Sequence, residues 1–188
     1  MHWVFITHPN EFLRSTSTAK VAAQALDGDG GTTEFLVYGA ASHEARVDAA
    51  LRAPLVRLLF PAPQGGGESV PEVFAEALAI QEEAVARGAG GGRGGDSDGA
   101  RPPVLTLIVP DGPWDCARAL VRVLEQRAAA GGWRLRRVVL DDAVVSGHQS
   151  QLIEALQSGA GRGRVSTLEA CALCLSEVPT RPIRCSTC

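Results

Sequence analysis

Three short segments of this chain place reactive side chains directly after an apolar run or before a helical one. Val109-Pro110-Asp111-Gly112-Pro113-Trp114 ends a buried-looking run in a carboxylate, a glycine that permits close backbone approach, and an indole. Asp111 there is either a general base or ligand acceptor, or an N-cap or Asx-turn residue, which Asp-Gly-Pro favours in any protein. Trp114 is either a stacking platform or a core anchor. Leu59-Phe60-Pro61-Ala62-Pro63-Gln64-Gly65 forms a rigid exit followed by exposed amides, and taken alone it is ordinary turn punctuation. Ser166-Thr167-Leu168-Glu169-Ala170 has capping-box spacing. Such a helix start also offers amides and hydroxyls to a carboxylate or phosphate, and Arg162 and Arg164 lie just upstream. Last, Cys171-x2-Cys174-x10-Cys185-x2-Cys188 has the doubled CxxC layout of a zinc ribbon. The competing reading packs Cys171 and Cys174 as small apolar residues on a helix.

The elements that must position these groups alternate along the chain. Trp3–Ile6, Phe35–Tyr38, Leu55–Phe60, Val104–Val109 and Arg137–Leu140 read as strands, short and mostly rich in branched or aromatic side chains. The runs at 55–60 and 104–109 are apolar at nearly every position, as in strands buried on both faces of a parallel sheet. Helical periodicity covers residues 11–26, 42–52, 113–130, 148–157 and 166–177, and Ser69-x-x-Glu72 opens a further helix to Arg87. Strand–helix alternation of this kind predicts a single α/β domain with a mainly parallel sheet. In such sheets ligands bind just beyond the strand C-termini, which is where the three segments fall. Gly88 to Pro103 holds seven glycines in sixteen residues and is expected to be a disordered surface insertion.

With 188 residues, 45% hydrophobic, and a mean hydropathy of +0.05, the chain suits one ordinary domain and not a wholly disordered polymer. No apolar run reaches membrane-spanning length, so no membrane partner is expected. The N-terminus lacks the pattern of a signal peptide, and five cysteines are an odd number. Both point to a cytoplasmic or nuclear protein that is not secreted. The net charge of −3 is uneven: residues 1–100 carry 7 basic and 13 acidic side chains, residues 101–188 carry 11 and 8. The basic second half permits a nucleic-acid partner without demonstrating one. Arginine accounts for every basic residue except Lys20, as a GC-rich coding bias alone would produce.

In combination the segments are more specific than any one of them. His8-Pro9-x-Glu11-x-x-Arg14-x-x-x-Thr18, Leu58-Leu59-Phe60-Pro61, Asp111-Gly112-Pro113-Trp114-x-x-Ala117-Arg118 and Ser166-Thr167-Leu168-Glu169-Ala170 occur in this order. The set resembles the motifs of the DTW-domain family, the tRNA-uridine aminocarboxypropyltransferases, over about residues 2–178, with 179–188 a cysteine-containing tail. Two positions depart from the family pattern. Pro113 stands where the naming motif has Thr, removing a hydroxyl and an N–H, and Ser17 stands where Asn is usual.

The resemblance implies a SPOUT-like fold with a C-terminal trefoil knot. It also implies transfer of the 3-amino-3-carboxypropyl group of S-adenosylmethionine to N3 of a tRNA uridine. Under it Asp111 takes the N3 proton or positions the base that does. Leu59, Phe60, Pro61, Pro110, Gly112, Trp114, Ser166, Thr167 and Glu169 hold the S-adenosylmethionine. Arg14, Arg118, Arg122, Arg162 and Arg164 meet the tRNA, and Cys171, Cys174, Cys185 and Cys188 are the zinc candidates. Two alternatives stay open: RNA methylation by a knotted fold, and an RNA-binding module that lost activity with the Pro113 change.

Overall fold

The computed structural model describes residues 1–14, 17–27, 31–62, 66–88, 105–148 and 165–179. The strands are β1 (His2–Thr7), β2 (Thr32–Val37), β3 (Val56–Leu59), β4 (Glu68–Ser69), β5 (Thr106–Asp111) and β6 (Arg136–Val139). They form one sheet in the order β2-β1-β5-β3-β6-β4, with every pairing parallel. The helices among the described residues are α1 (Pro9–Phe12), α2 (Thr18–Leu26), α3 (Ala41–Leu51), α4 (Val70–Gly88), α5 (Trp114–Ala130), α6 (Asp142–Gly147) and α7 (Thr167–Ser176).

Successive strand side chains point to opposite faces, and both faces are covered. Trp3, Phe5, Leu107 and Val109 pack under Ala19 and Ala22 of α2, Val70, Val73 and Ala77 of α4, and Cys171 and Cys174 of α7. Val4, Ile6, Leu58 and Ile108 pack under Val47 and Leu51 of α3 and Leu120, Val121 and Leu124 of α5. This is the layering that the continuous apolar runs require. Each large side chain taken fully out of water contributes about 1.5–3 kcal/mol, so the central strands are held firmly.

At the far edge of the sheet a polar network replaces apolar packing. Arg57 on β3 is buried, ion-paired to Glu68 on β4 and, at 2.6 Å, to Glu76 on α4; Arg136 on β6 also pairs with Glu68. Glu68 therefore joins two guanidinium groups and fixes the two-residue strand β4. Glu68→Ala strips the buried Arg57 of one charged acceptor and should cost about 2 kcal/mol, the worth of a charge-assisted hydrogen bond. Urea unfolding checks this, and an unchanged midpoint would show that solvent replaces the network at no cost.

The structure corrects several expectations. The continuous helix over 11–26 is two helices, α1 and α2, because Ser17 leaves the helical path (φ −63°, ψ 111°) and turns its hydroxyl toward Asp111. Strand β2 begins earlier than its apolar residues do; it is the edge strand, so the polar Thr32-Thr33-Glu34 half can face water. Strand β5 runs on through Pro110 to Asp111, which places the carboxylate on the sheet itself. Strand β4 and the six-residue α6 are too short to show a period, although Asp141 caps α6, its side chain accepting from the Ala143 N–H at 2.7 Å. The insertion over 88–103, apart from Gly88, and the helix expected over 148–157, apart from His148, lie outside the described residues.

Candidate ligand site at the carboxyl ends of the central strands

Parallel pairing brings the ends of β1, β5 and β3 to one edge of the sheet. Thr7, the last residue of β1, lies in register with Asp111, the last residue of β5. The His8 N–H continues the ladder by donating to the Asp111 carbonyl at 2.9 Å. Asp111 is 4% exposed and accepts three hydroxyl hydrogen bonds. Thr167 donates to Oδ1 at 2.8 Å, while Thr7 and Ser17 donate to Oδ2 at 3.2 and 3.4 Å. One carboxylate thus ties the end of β1, the start of α2 and the start of α7 together.

The helix-cap reading of Asp111 is set aside by this geometry. The N-cap of α5 is Pro113, which makes no side-chain cap, and the Asp111 side chain points to other elements. Burial pushes the Asp111 carboxyl above its ordinary range, against the opposing pull of the Thr167, Thr7 and Ser17 hydroxyls and the Lys20 charge.

Gly112 follows with φ +150°, a conformation that L side chains rarely adopt, and a Cβ there would sit 3.1 Å from the Cβ of His8. The residue after β1 and the loop after β5 therefore approach closely, so a side chain at 112 would strain the backbone and push on His8. Beyond them the Phe60 and Trp114 rings stack with centroids 5.3 Å apart, forming an aromatic wall shared by the exits of β3 and β5. Pro61 is pinned behind it, its carbonyl accepting from Arg137 Nη1 at 2.7 Å. Leu59 and Pro110, by contrast, are buried strand residues, and only their backbones border the loops.

At the start of α7 the expected capping box is present. Ser166 Oγ accepts from the Glu169 N–H at 3.2 Å, and Glu169 Oε2 accepts from the Ser166 N–H at 2.8 Å. His148 Nε2 lies 3.3 Å from Glu169 Oε1, so the imidazole backs the box. Ser166 and Glu169 are thereby engaged with each other, and Thr167 with Asp111. Among the described residues the Thr167 and Leu168 amides have no acceptor, as the first amides of a helix have none within it.

A second carboxylate belongs to this cluster. Glu11 lies one turn after β1, its N–H bonded to the His8 carbonyl at 2.8 Å, and its Oε2 is 3.3 Å from Arg14 Nη1. Burial raises its pKa and the nearby Asp111 charge adds to the rise, while Arg14, His8 and Lys20 pull it down. Lys20 clamps the α1–α2 turn by donating to the Phe12 carbonyl at 2.6 Å.

The arginine candidates are placed unevenly. Arg118 and Arg122 lie exposed on α5, Arg118 paired with Asp115, and Arg14 is exposed beside the site. Arg162 and Arg164 lie outside the described residues. An apolar cleft of about 470 Å³ opens between α2 and α7, lined by Met1, Trp3, Leu26, Leu168, Cys171 and Leu175 among others, and among the described residues no side-chain carboxylate or imidazole lines it.

Cys171 and Cys174 are buried in the core beside α2 and the sheet. Burial pushes both thiols up, Cys174 to about 12. Those are the surroundings of packed thiols; among the described residues no three metal-ligating side chains gather, and Cys185 and Cys188 lie outside them. In the native protein at about pH 8, Cys171 and Cys174 are expected to resist alkylation while the half-buried Cys116 reacts. Peptide mass mapping reads this, and rapid labelling of Cys171 or Cys174 would mean an exposed, activated pair.

The sequence reading overlooked Thr7, the role of Ser17, His148 and Arg137. Thr7 carries no signal beyond a hydroxyl ending an apolar strand, and its meaning appears only when β1 lies beside β5.

An all-parallel α/β sheet with a polar cluster and an aromatic wall beyond its strand ends is an arrangement of the open-sheet α/β class, in which ligands bind outside the carboxyl ends of the strands. More particularly, the chain belongs to the DTW domain family, which matches residues 1–186, and membership is consistent with a tRNA-modifying enzyme. No curated protein and no solved structure matches the chain.

Proposed function

We propose that the protein is a tRNA-uridine aminocarboxypropyltransferase using S-adenosylmethionine, with the SPOUT-like knotted C-terminus that the resemblance implies. The observation that carries this reading is the convergence of the four motif blocks at the carboxyl ends of β1, β3 and β5. His8 and Thr7, Phe60, Asp111 to Trp114, and Thr167 are far apart in sequence and meet at the same strand ends. The donor set suits the group to be bound. A stacked Phe60–Trp114 wall fits an adenine face, and the amides at the start of α7 suit a carboxylate.

When bound, S-adenosylmethionine supplies an activated sulfonium from which the aminocarboxypropyl carbon can be transferred. The protein's share is to hold that carbon in line with N3 and to remove the imide proton, since a protonated N3 is a poor nucleophile. Leu59, Pro61 and Pro110 contribute backbone, and Ser166 and Glu169 act by holding the start of α7. Arg14, Arg118 and Arg122 are placed to meet tRNA phosphates, with Arg162 and Arg164 as further candidates. Pro113 is compatible with this role: as the N-cap of α5 it needs no intrahelical N–H, and its carbonyl still accepts from Ala117 at 2.8 Å.

Coproduct chromatography after incubation with S-adenosylmethionine and unmodified tRNA transcripts tests the reading. 5′-Methylthioadenosine is expected; S-adenosylhomocysteine would mean methylation instead, and neither product would mean a binding module.

A further inference from the structure

Resting on that transferase reading, we infer that Glu11 is the base that takes the uridine N3 proton, and that Asp111 positions the site around it. Asp111 is poorly placed to be the base. Both of its oxygens already accept hydroxyl hydrogen bonds, from Thr167 on one and from Thr7 and Ser17 on the other. A proton added there would weaken the acceptor on which contacts joining three elements depend.

Glu11 has the complementary properties. It sits in α1 directly after β1, anchored through its own N–H to the His8 carbonyl, so the backbone of the site sets its position. Its Oε2 is buried and accepts no hydrogen bond among the described residues. Among the described residues the cation paired with it is Arg14, whose side chain is 58% exposed and able to swing to a phosphate. A carboxylate with an unfilled acceptor site, beside a buried negative charge, gains from receiving an N–H. The charged and titratable groups facing it are Arg14, Asp111, His8 and Lys20. His8 also has a fixed role nearby: its Nδ1 accepts from the Asn10 N–H at 3.2 Å, which leaves Nε2 as the donor in the neutral ring.

The step balances. N3 passes its proton to a Glu11 oxygen and its electron pair forms the bond to the terminal carbon of the aminocarboxypropyl chain. The carbon–sulfur bond breaks with its pair left on sulfur, so 5′-methylthioadenosine leaves neutral. The positive sulfonium and the negative carboxylate are both discharged, and Glu11 then returns its proton to water.

The test compares wild type, Glu11→Gln, Glu11→Asp and Asp111→Asn with S-adenosylmethionine and unmodified tRNA transcripts. Glu11→Gln should keep donor affinity by calorimetry and lose on the order of 10²–10⁴-fold in kcat, the usual worth of general-base catalysis. Glu11→Asp should recover part of that loss. Asp111→Asn removes the neighbouring negative charge, so the acidic limb of the rate profile should move to lower pH.

The ligand-free protein gives an independent readout. A carboxyl whose folded pKa is raised contributes stability that is present below its unfolded value and lost as pH rises through the folded one. The difference in urea midpoint between wild type and Glu11→Gln should therefore shift against wild type as pH rises from about 4, since the raised Asp111 and the lowered Asp48 and Glu72 contribute to both proteins alike. Glu11→Gln transferring at the parent rate would overturn the inference and leave the transferase reading intact. Wild type that makes no aminocarboxypropyl product would overturn both.

Discussion

Asp111→Ala is expected to lower stability by about 3 kcal/mol and to abolish tRNA modification together with it. The Thr7, Ser17 and Thr167 hydroxyls all donate to this carboxylate, and two of the three residues, Thr7 and Ser17, are essentially inaccessible to water. Deleting the acceptor strands buried donors, each costing about 1–3 kcal/mol when unpaired, partly relieved because hydroxyls can turn to other acceptors. For a chain of this size the melting temperature should fall by about 6–12 °C. Asp111→Asn keeps the shape and still hydrogen-bonds, its amide able to accept and donate within the hydroxyl cluster. It should stay within about 1 kcal/mol of the parent. A scan in which alanine melts like the parent would show that Asp111 ties nothing together.

The second large effect is expected at the aromatic wall. Trp114 begins α5 and stacks on Phe60 across the exits of two strands, and it is half-buried. Trp114→Ala removes the surface on which an adenine would lie. Base–aromatic stacking is worth about 1–3 kcal/mol, so S-adenosylmethionine should bind on the order of tenfold to a hundredfold more weakly. Trp114→Phe should keep most of the affinity. Calorimetry separates this from an unfolding effect, because the alanine variant should retain native circular dichroism. Unchanged affinity in Trp114→Ala would place the donor elsewhere or nowhere.

What could be read from the residues alone divides along physical lines. The buried strands were legible because a sheet covered on both faces demands continuous apolar runs, and Val4, Ile6, Leu58 and Ile108 supply them. The capping boxes at Ser69 and Ser166 were legible because they depend on spacing within a single turn. The break between α1 and α2 was not, since it depends on Ser17 reaching Asp111, 94 residues away. Nor was the choice between base and tie for Asp111: its local sequence favours a cap, and only the register of β1 with β5 brings Thr7 to it. Glu11 is part of the first motif block, but nothing near it in sequence reveals a buried oxygen that accepts no hydrogen bond among the described residues. Cys171 and Cys174 show the converse, a metal-like spacing whose side chains the helix turns into the core.

Nucleoside mass spectrometry of an unmodified tRNA pool, incubated with wild-type protein and S-adenosylmethionine, tests the transferase reading most directly. A uridine heavier by one 3-amino-3-carboxypropyl group, absent when Glu11→Gln replaces wild type over the same interval, is the expected result. A methylated nucleoside, or a tRNA pool left unchanged by wild type, would contradict it.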